Sequence, residues 1–177
     1  MHSPYRKQTS VNRYDIATAT GTLTLSVPVQ NGHGKVPVGD ALISRHSSWQ
    51  RIHWRTIETA YGSSPFFEFY RDDLYPFYHE EVETLREFNL GIQETILSLL
   101  DFDEKKVSLS EAYIAYDRNG YHDFREHLLQ GRKALQVGLG LIEPYHQVFV
   151  EKQGFIPHLS ILDLLFNMGP EARLLFF

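Results

Sequence analysis

Residues 13–29 read RYDIATATGTLTLSVPV. Leu23, Leu25 and Val27 alternate with Thr22, Thr24 and Ser26, the two-residue period of a strand with one buried face. A second β-prone run precedes them, and Thr20-Gly21 stands between the runs as turn chemistry. The stretch predicts an antiparallel pair over about residues 12–19 and 22–28. Most of the remaining chain reads as loop and helix, so this pair decides the class.

Residues 30–44, QNGHGKVPVGDALIS, are rich in Gly and Pro and read as a surface loop, with a short strand at Ala41–Ile43 closing it. Next comes a helix capped by Ser47 or Ser48, with Trp49, Ile52, His53, Thr56, Ile57 and Ala60 on one face. Gly62 and Pro65 end it. A long helical stretch runs from Pro76 to Leu100, with a break expected near Asn89-Leu90-Gly91. Residues 107–116 read as a strand or an extended connection, and HDFREHLLQGRKALQ, residues 122–136, as a helix weakened at Gly131. Beyond Tyr145 the chain is extended, then helical again: Ser160 and Asp163 have capping-box spacing, and Ile161, Leu164, Leu165 and Met168 are apolar at helical intervals.

The totals bound the function. The 177 residues suit one domain. The net charge of -5, without a basic stripe, argues against a nucleic-acid partner. No cysteine is present, which excludes a disulfide framework, a thiolate-bound zinc and a cysteine nucleophile, and fits a reducing compartment. The first residues lack an apolar signal core, and no run approaches the ~18 apolar residues of a membrane span. Aromatic residues reach 14%, enough both to anchor a core and to line a sugar or nucleotide pocket.

No short motif announces the chemistry. There is no phosphate loop, dinucleotide fingerprint or zinc-protease helix. His122 and His127 lie five residues apart and His46 and His53 seven, both poor spacings for one metal, so neither metal nor cofactor is expected. His158, Ser160 and Asp163 invite a catalytic reading, although Ser and Asp at this spacing first suggest a helix cap. His53 beside Trp54 reads first as a hydrogen-bonded core residue and second as a proton acceptor. Residues 5–13, YRKQTSVNR, place Tyr5, Lys7, Gln8, Asn12 and Arg13 in one donor-rich segment. In a strand, Tyr5 and Lys7 would point one way, Arg6 and Gln8 the other. Such a segment is either a charged edge strand or a rim for a phosphate or carboxylate.

Together, YRKQTSVNR, WQRIHWRTIETAYGSSPFFEFY, DLYPFYHE and EPYHQVFVEKQGFIPHLSILDLLFNMGP resemble the WbqC-like family. Members are bacterial, occur among genes for O-antigen and related polysaccharides, and are mostly uncharacterised. The role proposed for some is transfer of glycine or another acyl unit to an amino sugar. By position the family's pattern falls on Lys7, Gln8, Asn12 and Arg13, then on His53, Trp54 and Tyr61. Its later part falls on Tyr145, Gln147 and Phe149, then on Pro157, Leu159, Ser160, Asp163 and Asn167. His158 stands where the family suggests Asn, and Met168 where it suggests an acid. Members also carry a further strand and turn ahead of this front motif, so the resemblance implies an incomplete N-terminal edge.

The expected architecture is one α+β domain, a small and mostly antiparallel sheet packed on a helical layer and closed by the C-terminal helix. The expected function is a cytoplasmic transferase acting on a nucleotide-linked amino sugar. A non-catalytic sugar- or partner-binding protein is the alternative. Candidate catalytic groups are His53, His158, Ser160 and Asp163. Candidate binding groups are Tyr5, Lys7, Gln8, Asn12, Arg13, Trp54, Tyr145 and Gln147.

Overall fold

The computed structural model describes residues 2–30, 36–102, 108–113 and 142–176. Strands β1 (Arg13–Thr18) and β2 (Gly21–Ser26) pair antiparallel, from Arg13 opposite Ser26 to Thr18 opposite Gly21. Opposed residues share a face, so Tyr14, Ile16 and Leu25 turn to one side and Arg13, Asp15 and Thr24 to the other. Ile16 and Leu25 enter the core, whereas Leu23, near the hairpin tip, stays 42% exposed.

Around the hairpin the sheet thins to isolated bridges. Val29 meets Ile43, Leu42 meets Thr84 and Pro4 meets Pro37. The strand expected at Ala41–Ile43 is therefore two bridge contacts. A single 3-10 turn, Val38–Asp40, precedes it. Residues 5–8 do not form the expected strand either. After the Pro4 bridge and the bond from Tyr5 N to Val36 O, the chain enters turns that last until β1. Two-residue alternation therefore does not govern where Lys7 and Gln8 point.

Helix α1 (Trp49–Tyr61) follows its expected bounds. Ser48 stands at its N-cap without a side-chain bond to the helix, so the expected hydroxyl cap is not made. The buried face is also rotated. Ile52 is 56% exposed while Trp54 and Tyr61 are buried. The cause is α2 (Phe67–Leu74), a helix that the Gly62–Pro65 punctuation conceals. The α2–α3 unit, with α3 at Pro76–His79, supplies Phe67, Tyr75, Tyr78 and His79 around the Trp54 ring, with centroids 5.5–6.2 Å away. Four aromatic neighbours draw the helix toward Trp54.

The long helical stretch breaks at residues 80–84, before the expected Asn89–Gly91. Thr84 starts α4 (Leu85–Leu99) with a reciprocal capping box. Glu87 N donates to Thr84 Oγ1 at 3.1 Å and Thr84 N to Glu87 Oε2 at 3.0 Å. Gly91 lies inside α4, where a Cβ would stand 2.8 Å from the Phe77 ring, so the glycine serves close packing and does not break the helix. Residues 108–113 contain no strand, and the helix expected over residues 122–136 lies outside the described residues.

After the short α5 (Val150–Gln153), α6 (Ile161–Met168) buries Leu162, Asp163, Leu164, Leu165, Phe166 and Asn167. A helix buried nearly all round is an internal element. It therefore serves as a spine of the core as well as its closure. Gly169 ends it at φ 56°, with the Phe66 ring where a side chain would stand, and a 3-10 segment continues to Phe176. The class is α+β, as expected.

Candidate functional site

A cleft of about 330 Å3 lies on the outer side of the hairpin. Its floor carries Arg13, Tyr14 and Asp15 of β1 and Thr24 of β2. One wall is the turn Gln8–Ser10 and the other is His158–Ser160, before α6. Ser160 N donates to Asp15 O at 2.7 Å, which fixes the second wall to the free edge of β1. Gln8 and His158, on opposite walls, both hold positive φ, 63° and 56°. Among the described non-glycine residues only Asp101 joins them, in the turn after α4. Side chains in this backbone region are strained, and such strain concentrates where ligands bind.

Arg13 is the cleft's cationic group. Among the described residues it makes no ion pair, and its Nε is buried without a hydrogen-bond partner. Its charge lies near Tyr5, whose hydroxyl is raised in pKa mainly by burial while Arg13 pulls it down. Asp15 also lines the cleft. Its Oδ1 accepts from Thr24 Oγ1 at 2.5 Å.

Of the residues singled out from the sequence, Gln8, Arg13, His158 and Ser160 meet here, although most of the chain separates them. Tyr5 is buried in the core, and Lys7 is exposed in the turn without lining the cleft. Asn12 turns inward, donating to Val27 O at 2.9 Å. Ser160 Oγ accepts from Leu162 N at 3.4 Å, a long cap bond, while Asp163 N donates to Ser160 O. With the bond from Ser160 N to Asp15, these leave the helix start little capacity for an anion.

Asp163, Tyr145 and Gln147 form a second, closed cluster. Asp163 is fully buried and does not reach back to cap Ser160. Its Oδ1 accepts from Tyr61 at 2.9 Å. Its Oδ2 accepts from Tyr145 at 2.7 Å and from Gln147 at 2.9 Å. Tyr61 in turn accepts from Ala17 N at 3.1 Å. Gln147 pairs with both backbone groups of Ile156, each at 2.9 Å. One carboxylate thus joins β1, the end of α1, the 145–156 segment and α6. Burial raises the Asp163 pKa, and its three donors only partly oppose that. The same burial, with the nearby carboxylate, raises Tyr61 and Tyr145.

His53 belongs to a third group beneath the hairpin. Its Nδ1 lies 2.9 Å from the Tyr14 hydroxyl, which is 3.1 Å from that of Tyr78. Desolvation lowers the His53 pKa to about 4, and a bond to the Ser26 backbone only partly offsets it. Burial raises Tyr14 well above its ordinary value and Tyr78 to about 12. His53 is therefore neutral near pH 7, 4% exposed, and absent from the cleft lining. Trp54 is likewise in the core.

Asp15, Tyr14 and Thr24 were not singled out from the sequence. The period-two rule that places Arg13 on a polar face places Asp15 beside it, so the signal was there. Among the described residues no group of three His, Cys, Asp or Glu side chains is placed to hold a metal, and no helix is long and apolar enough to cross a membrane.

The chain is 28% identical over 195 aligned positions to an uncharacterized protein of Mycobacterium tuberculosis, Rv1507c, across 95% of this chain and 81% of that one. No solved structure matches. The model of the WbqC-like protein family matches residues 2–140, which hold both strands and one cleft wall but not the wall at His158–Ser160. That match spans well over half of the sequence, and the chain belongs to the WbqC-like protein family.

Proposed function

We propose that the cleft binds the anionic part of a small substrate. We further propose that the protein is a cytoplasmic transferase of surface-polysaccharide synthesis, moving an acyl or aminoacyl group to a nucleotide-linked amino sugar. The observation that carries the binding half is Arg13, a cation lining the cleft with no ion pair among the described residues. A guanidinium that lines a cleft without a carboxylate partner is suited to an anionic ligand, each charge-assisted hydrogen bond to it contributing about 1.5–3 kcal/mol. The transfer half rests on the family resemblance.

A cleft of 330 Å3 sits at the low end of ligand pockets, roughly 300–1,000 Å3. It suits a monosaccharide or phosphate-sized group, with the rest of a nucleotide lying outside. Amide formation requires the amine to lose a proton as its nitrogen attacks the acyl carbon. His158 lines the cleft and is the candidate to take that proton. His53 is sealed behind Tyr14, and Asp163 is saturated by neutral donors. The sealing of both favours one other reading, a sugar-binding accessory protein that performs no chemistry.

The test mixes purified protein with a panel of nucleotide-linked amino sugars and activated acyl donors and detects products by mass spectrometry. The enzyme reading expects an N-acylated sugar whose yield collapses in Arg13→Gln. Binding by calorimetry without product supports the accessory reading. Absence of both rejects the cleft as the site.

A further inference from the structure

The cleft floor carries two opposite charges that do not neutralise each other. Arg13 and Asp15 are two residues apart on β1 and share its outer face, so their Cα atoms lie about 7 Å apart. Among the described residues no ion pair joins them. The Thr24 hydroxyl, directly across the hairpin, donates to Asp15 Oδ1 and orients the carboxylate. Among the described residues nothing bonds the second oxygen. The backbone of Asp15 is also held, through its carbonyl, by Ser160 N. Asp15 is thus anchored on two sides and left open on a third, toward the same space that Arg13 faces.

A surface prepared only for an anion would have no use for a carboxylate beside its cation, because that carboxylate repels the incoming anion. We propose that Asp15 is a specificity-determining residue, and that the ligand bears a protonated amine together with an anionic group. Arg13 takes the anion, Asp15 accepts from the ammonium, and Thr24 holds Asp15 in the accepting orientation. The inference rests on the cleft being the binding site, and adds to it the second half of the ligand.

Two probes differing only in an amine for a hydroxyl test this: glucosamine 6-phosphate and glucose 6-phosphate. Affinities are measured by calorimetry at about pH 6.5, where an aliphatic amine of ordinary basicity is protonated. The wild-type chain should bind the amino sugar phosphate about tenfold more tightly, the effect of one charge-assisted hydrogen bond. Asp15→Asn should abolish that preference while leaving glucose 6-phosphate within about twofold of wild type. Asp15→Glu should keep part of it. Arg13→Gln should weaken both probes alike. If Asp15→Asn melts early, Thr24→Val, which frees the carboxylate without removing it, should show a reduced preference instead. A preference that survives in Asp15→Asn, or is absent from the wild type, overturns the role of Asp15 and leaves the anion site standing. Failure of the wild type to bind either probe overturns both.

Discussion

Asp163 and Arg13 are two charged side chains on neighbouring elements, and they are treated in opposite ways. Asp163 is fully buried, receives three hydrogen bonds and, among the described residues, pairs with no cation. Arg13 lines an open cleft and, among the described residues, makes no ion pair. A single turn of chain carries Ser160 in the cleft wall and Asp163 in the closed cluster. The contrast separates a group that fixes structure from one left available. Polar atoms that saturate one another hold elements together, whereas a charged group without an ion-pair partner at a cleft is not committed to the core.

Removing Asp163 attacks the closed side of the contrast and carries the largest effect. Asp163→Ala leaves two tyrosine hydroxyls and one amide buried without an acceptor, and should lower stability by about 3–5 kcal/mol in urea titration. A loss below about 1 kcal/mol would mean that the cluster is not a structural joint. Asp163→Asn should be milder and should change the pH response. Because burial raises the folded-state pKa, the folded chain binds this proton more readily than the unfolded one. The group's contribution is therefore greatest at low pH and falls as pH rises from the ordinary carboxylate value through the raised one. The stability difference between wild type and Asp163→Asn should shrink over that interval.

His53 has the opposite sign. Its folded pKa of about 4 lies below the ordinary histidine value, so the unfolded state binds the extra proton first. Stability should be full above about pH 6.5 and fall by roughly 3 kcal/mol as pH drops to about 4, levelling below. His53→Gln should flatten that slope. A slope unchanged in the variant would show that another group carries it.

The open side should respond in function and not in stability. Arg13→Gln should leave the urea midpoint within about 0.5 kcal/mol of wild type. Binding of a sugar phosphate should weaken about tenfold, and added salt should weaken the wild type but hardly the variant. A large stability loss would move Arg13 to the structural side. The smallest effect belongs to Ser160→Ala. Its cap bond is long, 3.4 Å, so about 0.5 kcal/mol is expected, at the low end for a helix cap.

The hairpin was legible because its cues are local: alternation at Leu23, Leu25 and Val27, and a turn at Thr20-Gly21. Helix α1 was legible for the same reason. Helix α2 was not, because Gly62, Ser63, Ser64 and Pro65 are as fit for a bend between helices as for an ending. The apolar series Phe67, Tyr70, Leu74 was there to be read. Asp163 misled because Ser-x-x-Asp spacing is shared by a helix cap and by a carboxylate that happens to turn inward. Its position amid Leu162, Leu164 and Leu165 was the better sign, since a carboxylate in such company needs donors. Those donors, Tyr61 and Tyr145, are 102 and 18 residues away, and no local pattern pairs them.

The bond from Ser160 N to Asp15 O sets when the cleft can first exist. It closes a loop of 145 residues, and closing such a loop unaided is unfavourable by about 4 kcal/mol. A single hydrogen bond returns only about 0.5–1.5 kcal/mol net. The contact therefore forms after the intervening helices have drawn the two segments together. During synthesis at ~5–20 residues per second, the outer edge of β1 waits on the order of ten seconds for its cover. For that interval the hairpin presents a bare strand edge to other nascent chains. The late-made segment at Ser160 is both a wall of the cleft and the cover of a strand made long before it, so a chain that ends ahead of that residue should lack that wall and leave the outer edge of β1 bare.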